Sequence, residues 1–431
     1  MSSDDIRVVT PPDGGFATGV RIPGDKSLSH RAVIFSAMAD GESRLSGLAP
    51  GGDVGATLRA MRAFGVAADR HRITGRPWQA PENPIDCGNS GTTIRLLAGA
   101  AAGRPFQTTF VGDESLMRRP MNRLVAPLSV LGAAVRVGQD GHPPVITGGG
   151  GLVGGSAMID LPSAQVRTAF ELAALQAEGS STVQSPPGYR DHTERWLEAF
   201  GLGHSEDGTV FRIDPGLIPA TEYEIPGDPS SAAYLWASAA IVEGARVATP
   251  DVSLNPGRLG MLSILEHMGA DVVGEVTGAI HGDPTGVVSV TGRGLRGIEV
   301  SGPLAARAID ELPLVAVLAA YAEGTTVVRD AAELSVKESN RIASTVAMIR
   351  ALGGVAEATD DGFAITGTGR LDSGVVSASG DHRIAMAAGV AATAATGPVT
   401  IDGASAAAVS WPTFYDTLEA VWLSQSMDRG E

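Results

Sequence analysis

Cysteine is all but missing from this sequence: Cys87 stands alone, which rules out an intrachain disulfide and any cysteine-rich metal site. Aromatic residues are sparse as well, at 5 %. With alanine and glycine abundant, close helix packing is expected rather than an aromatic-lined groove. The eight histidines are scattered, with no HExxH or comparable ligand spacing. Positive charge is also short. A formal net charge of −16 argues against nucleic acid or an anionic membrane surface as partner. Any cluster of cations must then be a local site. Alanine-rich stretches such as 383–396 are broken by polar or charged residues and are too weakly apolar to span a bilayer. The start, MSSDDIRVV, is acidic and lacks the pattern of a secretory signal. These absences predict a soluble cytoplasmic protein.

Lysine is the scarcest charge. Of thirty-two basic residues only Lys26 and Lys337 are lysines, so arginine serves wherever a generic positive charge will do. An ammonium is a compact point charge whose proton affinity its surroundings can lower, whereas a guanidinium keeps its proton. Both lysines lie in polar, motif-like strings, IPGDKSLSHRA at 22–32 and LSVKESNRIA at 334–343. They are therefore candidate active-site groups.

Hydrophobic residues make up 43 % of the 431 residues, enough for two domains with cores of their own. The chain also repeats itself. A polar, Gly- or Pro-marked start, a small-residue helix and a Gly-led β-rich run recur at 22–47, 85–112, 159–185, 224–250, 300–330 and 376–403. Each start offers Ser, Thr, Asp or Gly as a helix cap. A second helix follows each, as in VGATLRAMRAFG (54–65) or LGMLSILEHMG (259–269), and glycine after the apolar run fits a left-handed C-cap. Short β-branched runs such as AAVRV, HPPVIT, VVSV and GFAITG lie between. The unit is βαβαββ-like and occurs six times. IPGDKS and IPGDPS open the first and fourth copies, dividing them three plus three. Two similar α/β domains are expected, meeting near 15–23 and 224–230, with the default ligand site in a cleft between them.

The unit starts carry more chemistry than capping needs. Lys26, Ser27, His30 and Arg31 surround the first helix start, where Ser27 or Asp25 can cap and free N–H groups favour an anion. CGNSGTTIR places Asn89, Ser90, Gly91 and two threonines before a helix, with Arg95 one turn in; small residues let backbone N–H groups approach a phosphate or carboxylate, although a tight turn with an ordinary cap reads equally well. GDESLMRRPM adds Arg118 and Arg119, of which one can face solvent and the other the site. SAQVR offers Ser163 and Gln165 as neutral donors, and GYRDHTERW puts Arg190 ahead of a cap. In the second half, Asp310 precedes a long apolar helix, Glu338 neighbours Lys337, and Arg383 opens the sixth helix in SGDHRIAM. Lys337 and Arg341, four apart, are expected on one helix face. Lys26, Arg31, Arg119, Arg190, Lys337, Arg341 and Arg383, at related positions in so acidic a chain, suggest substrates bearing several negative charges. No nucleotide loop or Mg²⁺ motif accompanies them.

The strings GDKSLSHRA, GNSGTTIRLL, GDESLMRRPM, SAQVRTA, RDHTER, DELPLVAVLAA, VKESNRI and GDHRIAMA, in this order from residue 24 to 387, resemble those of the 5-enolpyruvylshikimate-3-phosphate synthase family of enolpyruvyl transferases. The resemblance implies an inside-out α/β barrel fold of two domains with three βαβαββ units each. Residues 1–15 would give a strand to the second-half domain, and 16–228 and 229–431 would be the two domains. It implies transfer of the enolpyruvyl group of phosphoenolpyruvate to the 5-hydroxyl of shikimate 3-phosphate, by a monomer, with no metal or organic cofactor. By similarity, Lys26, Ser27, Arg31, Ser163, Ala164, Gln165, Arg190, Asp310 and Lys337 would bind shikimate 3-phosphate. Lys26, Asn89, Gly91, Arg119, Gln165, Arg341 and Arg383 would bind phosphoenolpyruvate. Asp310 would be the base, Glu338 the acid, and Lys26 a further catalytic group. Two departures stand out: AVSWPTF carries Val409 and Ser410 where some members have a lysine, and Asn340 replaces the usual aspartate of KESDRI. Gly91 implies sensitivity to glyphosate. The sister transferase acting on UDP-N-acetylglucosamine commonly uses a mobile-loop cysteine, whereas Cys87 precedes GNSGTT and is not near Arg118.

Overall fold

The computed structural model describes residues 5–75, 77–160, 163–186, 189–206 and 208–424. Of the amino-terminal stretch 1–15, residues 1–4 lie outside that set. The chain forms two compact units. A first-half unit comprises Gly24–Ile225 with Ala279–Asp283, and a second-half unit takes the residues up to Pro23, Pro226–Gly278 and those from Pro284 onward.

Among the described residues there are six small sheets, and they share one pattern. In the sheet built on Gln107–Val111, the strand Ile85–Asp86 pairs in parallel, with Ile85 opposite Phe110. On the other side Val145–Gly148 pairs antiparallel, with Phe110 opposite Val145, and Arg136–Val137 pairs antiparallel with that strand in turn. The parallel pair requires a crossover, which the opening helix supplies. The same order of pairings recurs around Ser181–Gln184, Gly41–Ser46, Arg246–Ser253 and Thr325–Val328. The sixth sheet has three strands, Gly374–Ser377, Val399–Asp402 and Ile6–Val9. This is an α/β chain of repeated βαβαββ-like units.

Three sheets are completed by strands distant in sequence. Glu222–Glu224 pairs in parallel with Gly41–Ser46, so the first repeat receives its opening strand from the end of the half. Ala17–Gly19 does the same for Arg246–Ser253, and Ile6–Val9 pairs antiparallel with Val399–Asp402. Residues 16–23 accordingly belong to the second-half unit, where Phe16 and Ile22 are buried in the core, whereas the sequence-based partition begins the first domain at residue 16. Residues 279–283 join the first-half unit because their side chains pack there. His281 lies 4.8 Å from the Phe200 ring and 5.1 Å from Tyr223, and buried Asp283 bonds His192.

Local chemistry explains the helix limits. Asp25 caps the Lys26–Met38 helix by accepting from the Leu28 N–H at 2.9 Å. Ser90, Asp228, Asn340 and Asp381 cap the Gly91–Ala102, Pro229–Ile241, Arg341–Ala351 and His382–Ala391 helices in the same way. The second helices of the first five units stop at left-handed glycines, as at Gly65 (φ 79°) and Gly269 (φ 107°). The opening helices are buried almost all round, Leu312–Ala320 along its whole length, so they form the interior rather than an amphipathic surface. Small residues make this possible. A Cβ on Gly99 would stand 1.9 Å from the Ala169 carbonyl oxygen, so the Gly91–Ala102 and Ala164–Ala174 helices touch backbone to backbone. Among the described residues no helix is long and apolar enough to cross a membrane.

Candidate active site

In the first-half unit the starts of the three opening helices are stitched together by side chains. Arg31 is buried, and its Nε and Nη2 donate to Thr193 and Thr168 Oγ1, both at 2.8 Å, while Nη1 donates to the Ser27 carbonyl at 3.0 Å. All three acceptors are uncharged, so the guanidinium keeps positive charge to offer an anion. Burial pulls its proton affinity below the ordinary arginine value, and carboxylates farther off, Glu194 first, oppose that. Lys26 Nζ stands 3.1 Å from Asp53 with its side chain 24 % exposed, placing an ammonium at the rim. His30 is buried one turn in. Its Nδ1 meets Thr57 Oγ1 at 2.7 Å, and hydroxyl contacts of 2.8 Å continue through Thr93 to Ser90. Burial, helped by the cations of Lys26 and Arg31, brings the imidazole down to about 3, against the pull of Asp53. His30 is therefore a neutral strut between two helix starts.

Asn89 lies between a carboxylate and a cation. Its amide donates to Asp113 at 2.7 Å and accepts from Arg119 Nη2 at 2.5 Å. Arg118 instead faces solvent and pairs with Glu114 at 2.7 Å, so the adjacent arginines divide as expected. Gln165 accepts from Arg95 Nη1 at 2.6 Å and donates to Thr92 Oγ1 at 3.0 Å. Ser163 is the N-cap residue of the Ala164–Ala174 helix but makes no side-chain cap bond, which leaves its hydroxyl beside the helix N-terminus. Arg190 is half-buried just before the His192–Ala199 helix. Cys87 is fully buried and burial pushes its thiol up, so it has neither the exposure nor the ionisation of a reacting thiol.

In the second-half unit the hub is Arg341, 1 % exposed. Its guanidinium meets Glu338 at 2.6 Å, Asp381 at 2.9 Å and Asp310 at 3.5 Å. Burial works against the cation, but Glu338, Asp381 and Asp310 raise its proton affinity above the ordinary value. Asp381 is held below the usual carboxylate range by Arg341 and His382, although its burial acts the other way. Lys337 Nζ lies 3.8 Å from Asp310 and 3.4 Å from Glu333. Arg383 has Glu311 at 3.7 Å. Burial opposes its charge, yet Tyr234, Asp310, Glu311 and Asp228 keep it strongly protonated.

One expectation is corrected. Lys337 and Arg341 do not share a helix face, because Lys337 ends a 3₁₀ turn, Ala332–Val336, and the α-helix begins only at Arg341. Asn340 fixes that start by accepting from the Ala343 N–H at 3.2 Å. Asp310 unites the two cations instead. Sequence reasoning also passed over Asp53, Thr168, Thr193 and Arg167, and took Asp381 only as part of the sixth helix start. Of these, only Arg167 carried a signal, as a charge within the largely apolar helix AQVRTAFELAA at 164–174. Among the described residues no group of three or more His, Cys, Asp or Glu could hold a metal ion.

A family profile described as EPSP synthase (3-phosphoshikimate 1-carboxyvinyltransferase) matches residues 14–418. The chain is 42 % identical over 410 residues to the 3-phosphoshikimate 1-carboxyvinyltransferase of Bacillus velezensis, covering 93 % of this chain and 96 % of that protein. It is 39 % identical over 422 residues to the Bacillus cereus enzyme of the same name, covering 96 % and 98 %. Among solved structures, EPSP synthase from Acinetobacter baumannii aligns with a TM-score of 0.85 at 38 % identity, covering 96 % of this chain and 98 % of that one.

Proposed function

The chain belongs to the EPSP synthase (3-phosphoshikimate 1-carboxyvinyltransferase) family, and from that premise we infer that both side-chain arrays described above serve its reaction. The activity is transfer of the enolpyruvyl group of phosphoenolpyruvate to the 5-hydroxyl of shikimate 3-phosphate, with release of phosphate, in aromatic amino acid biosynthesis. Lys26, Ser27, Arg31, Ser163, Ala164, Gln165 and Arg190 hold shikimate 3-phosphate. The surplus charge on Arg31 and the uncapped Ser163 hydroxyl support that role. Asn89, Gly91 and Arg119, with Lys26 and Gln165, serve phosphoenolpyruvate, whose carboxylate Arg341 and Arg383 clamp. Asp310 and Lys337 complete the acceptor side.

The observation that carries the chemical assignment is the shared guanidinium of Arg341, with Glu338 at 2.6 Å and Asp310 at 3.5 Å. One fixed cation thus orients both proton-transfer groups. Glu338 gives a proton to the methylene carbon of phosphoenolpyruvate, positive charge develops at the adjacent carbon, and the 5-hydroxyl attacks there as Asp310 takes its proton. The result is a tetrahedral adduct whose central carbon bears the methyl group, the carboxylate, the phosphate oxygen and the 5-oxygen of shikimate 3-phosphate. Loss of phosphate with a proton from the methyl group restores the double bond. The remaining cations supply orientation and charge stabilisation.

Incubation of the pure protein with shikimate 3-phosphate and phosphoenolpyruvate tests the reading directly. Inorganic phosphate and the enolpyruvyl ether are expected to form in equal amounts. Phosphate release without the ether, or turnover of UDP-N-acetylglucosamine in place of shikimate 3-phosphate, would overturn it.

A further inference from the structure

Behind the shikimate 3-phosphate side of the first-half unit lies a buried charge cluster that the reaction does not use. Arg167 sits one turn into the Ala164–Ala174 helix and is 0 % exposed. Its Nε donates to Glu194 Oε1 at 2.7 Å, its Nη1 donates to Ser185 Oγ at 2.9 Å, and its guanidinium carbon stands 4.2 Å from the centre of the Tyr189 ring. Glu171 is also fully buried, 3.8 Å from Arg167.

A buried ion pair of this kind seldom adds stability over an apolar packing of similar volume, and such a pair is better explained when it fixes a geometry. The geometry here is specific. Arg167 grows from the helix whose first turn holds Ser163, Ala164 and Gln165. Ser185 follows the Ser181–Gln184 strand, and Tyr189 immediately precedes Arg190. Glu194 follows Thr193, the residue that orients Arg31. One planar fork therefore ties together three chain segments, its own helix included, and each of them bears a group assigned to shikimate 3-phosphate or to its holder. Lysine could satisfy Glu194 but could not also reach Ser185 and lie flat on the Tyr189 ring.

We propose that Arg167, stacked on Tyr189, is a positioning residue for the 3-phosphate subsite, holding Arg190 and the Thr193–Arg31 pair at a fixed separation from Ser163. It touches no substrate. The inference rests on the assignment of shikimate 3-phosphate to this array, and it predicts a selective effect on that substrate.

The test compares Arg167→Lys, Tyr189→Ala and Tyr189→Phe with the wild type. Shikimate 3-phosphate binding is measured by calorimetry, both KM values by steady-state kinetics, and folding by thermal unfolding. Arg167→Lys keeps the charge beside Glu194 and Tyr189→Ala leaves the buried pair intact, so at least one of them tests a folded protein. Each is expected to weaken shikimate 3-phosphate binding about five- to tenfold, the scale of one cation–π contact or charged hydrogen bond. The KM for phosphoenolpyruvate should stay within about twofold, and Tyr189→Phe, which keeps the ring, should behave as wild type. Folded Arg167→Lys and Tyr189→Ala variants with wild-type affinity for shikimate 3-phosphate would overturn this inference alone. Equal weakening of both substrates would also overturn it, by showing general loosening. A wild-type protein that fails to bind shikimate 3-phosphate would overturn the underlying assignment and this inference with it.

Discussion

Gly91 offers a quantitative check on the phosphoenolpyruvate side. It opens the Gly91–Ala102 helix without a left-handed φ, so the backbone itself accepts alanine. In that position alanine favours the helix by up to ~1 kcal/mol over glycine. The side-chain space is the obstacle. A methyl at 91 would stand 2.9 Å from Arg95 Nη1 and 3.3 Å from Arg119 Nη1, whereas an ordinary contact needs about 3.5 Å or more. The Arg95 fork must retreat by roughly half an ångström to reach that contact distance. Its 2.6 Å bond to Gln165 then lengthens beyond good geometry, and the 2.5 Å contact between Arg119 and Asn89 is strained in the same direction. A charged hydrogen bond contributes about 1.5–3 kcal/mol. Losing about half of one corresponds to roughly a tenfold effect on binding. Gly91→Ala is therefore expected to raise the KM for phosphoenolpyruvate about tenfold and to leave the thermal midpoint unchanged or higher. Glyphosate, if it competes with phosphoenolpyruvate as the family resemblance implies, should weaken in parallel. A folded Gly91→Ala enzyme with the wild-type KM for phosphoenolpyruvate would refute the steric argument.

Three further outcomes follow from the geometry. Asp310→Asn and Glu338→Gln keep shape but remove proton transfer, so kcat should fall about 10²- to 10⁴-fold with smaller changes in KM; either variant within tenfold of wild-type kcat would remove that residue from its role. Glu171 is buried, and burial, then Glu194, push its carboxyl well above the ordinary value. With the folded value raised, its contribution is fully present below the unfolded value and is lost as pH rises through the folded one. Glu171→Gln should thus gain stability relative to wild type as pH goes from 5 to 8, and a flat difference in urea unfolding would contradict this. His30 has the opposite sign. Its folded value, about 3, lies below the ordinary 6.5, so stability is present above pH 6.5 and falls by up to ~1.4 kcal/mol per pH unit toward acid. His30→Gln should flatten the unfolding slope between pH 6 and 4, and parallel slopes would sink the idea.

Much of the architecture was legible because it is repetitive and local. Asp25, Ser90, Asp228, Asn340 and Asp381 cap helices from positions readable in the sequence, and Gly65 and Gly269 end them as the spacing suggests. Strand exchange was less legible. Three-residue strands such as Ala17–Gly19 and Glu222–Glu224 carry too little pattern to reveal partners some two hundred residues away. The site divided similarly. Lys26, Arg31, Asn89, Arg119, Gln165, Asp310, Glu338, Arg341 and Arg383 stood out as polar groups at helix starts. The residues that hold them did not. Thr193 and Thr168 are ordinary threonines until Arg31 donates to both, and Asp381 reads as a cap until Arg341 is found on its other side.

Composition, repeat and motif order alone determined that this is a chain of six βαβαββ-like units handling small polyanions, because those properties depend on residue type and short-range spacing. Tertiary structure alone decided that one guanidinium, Arg341, would join Glu338 to Asp310, that Lys337 would leave the helix face, and that Arg167 would anchor three segments at once. Such contacts depend on where helix starts converge after distant strands have paired, and no local pattern encodes that convergence.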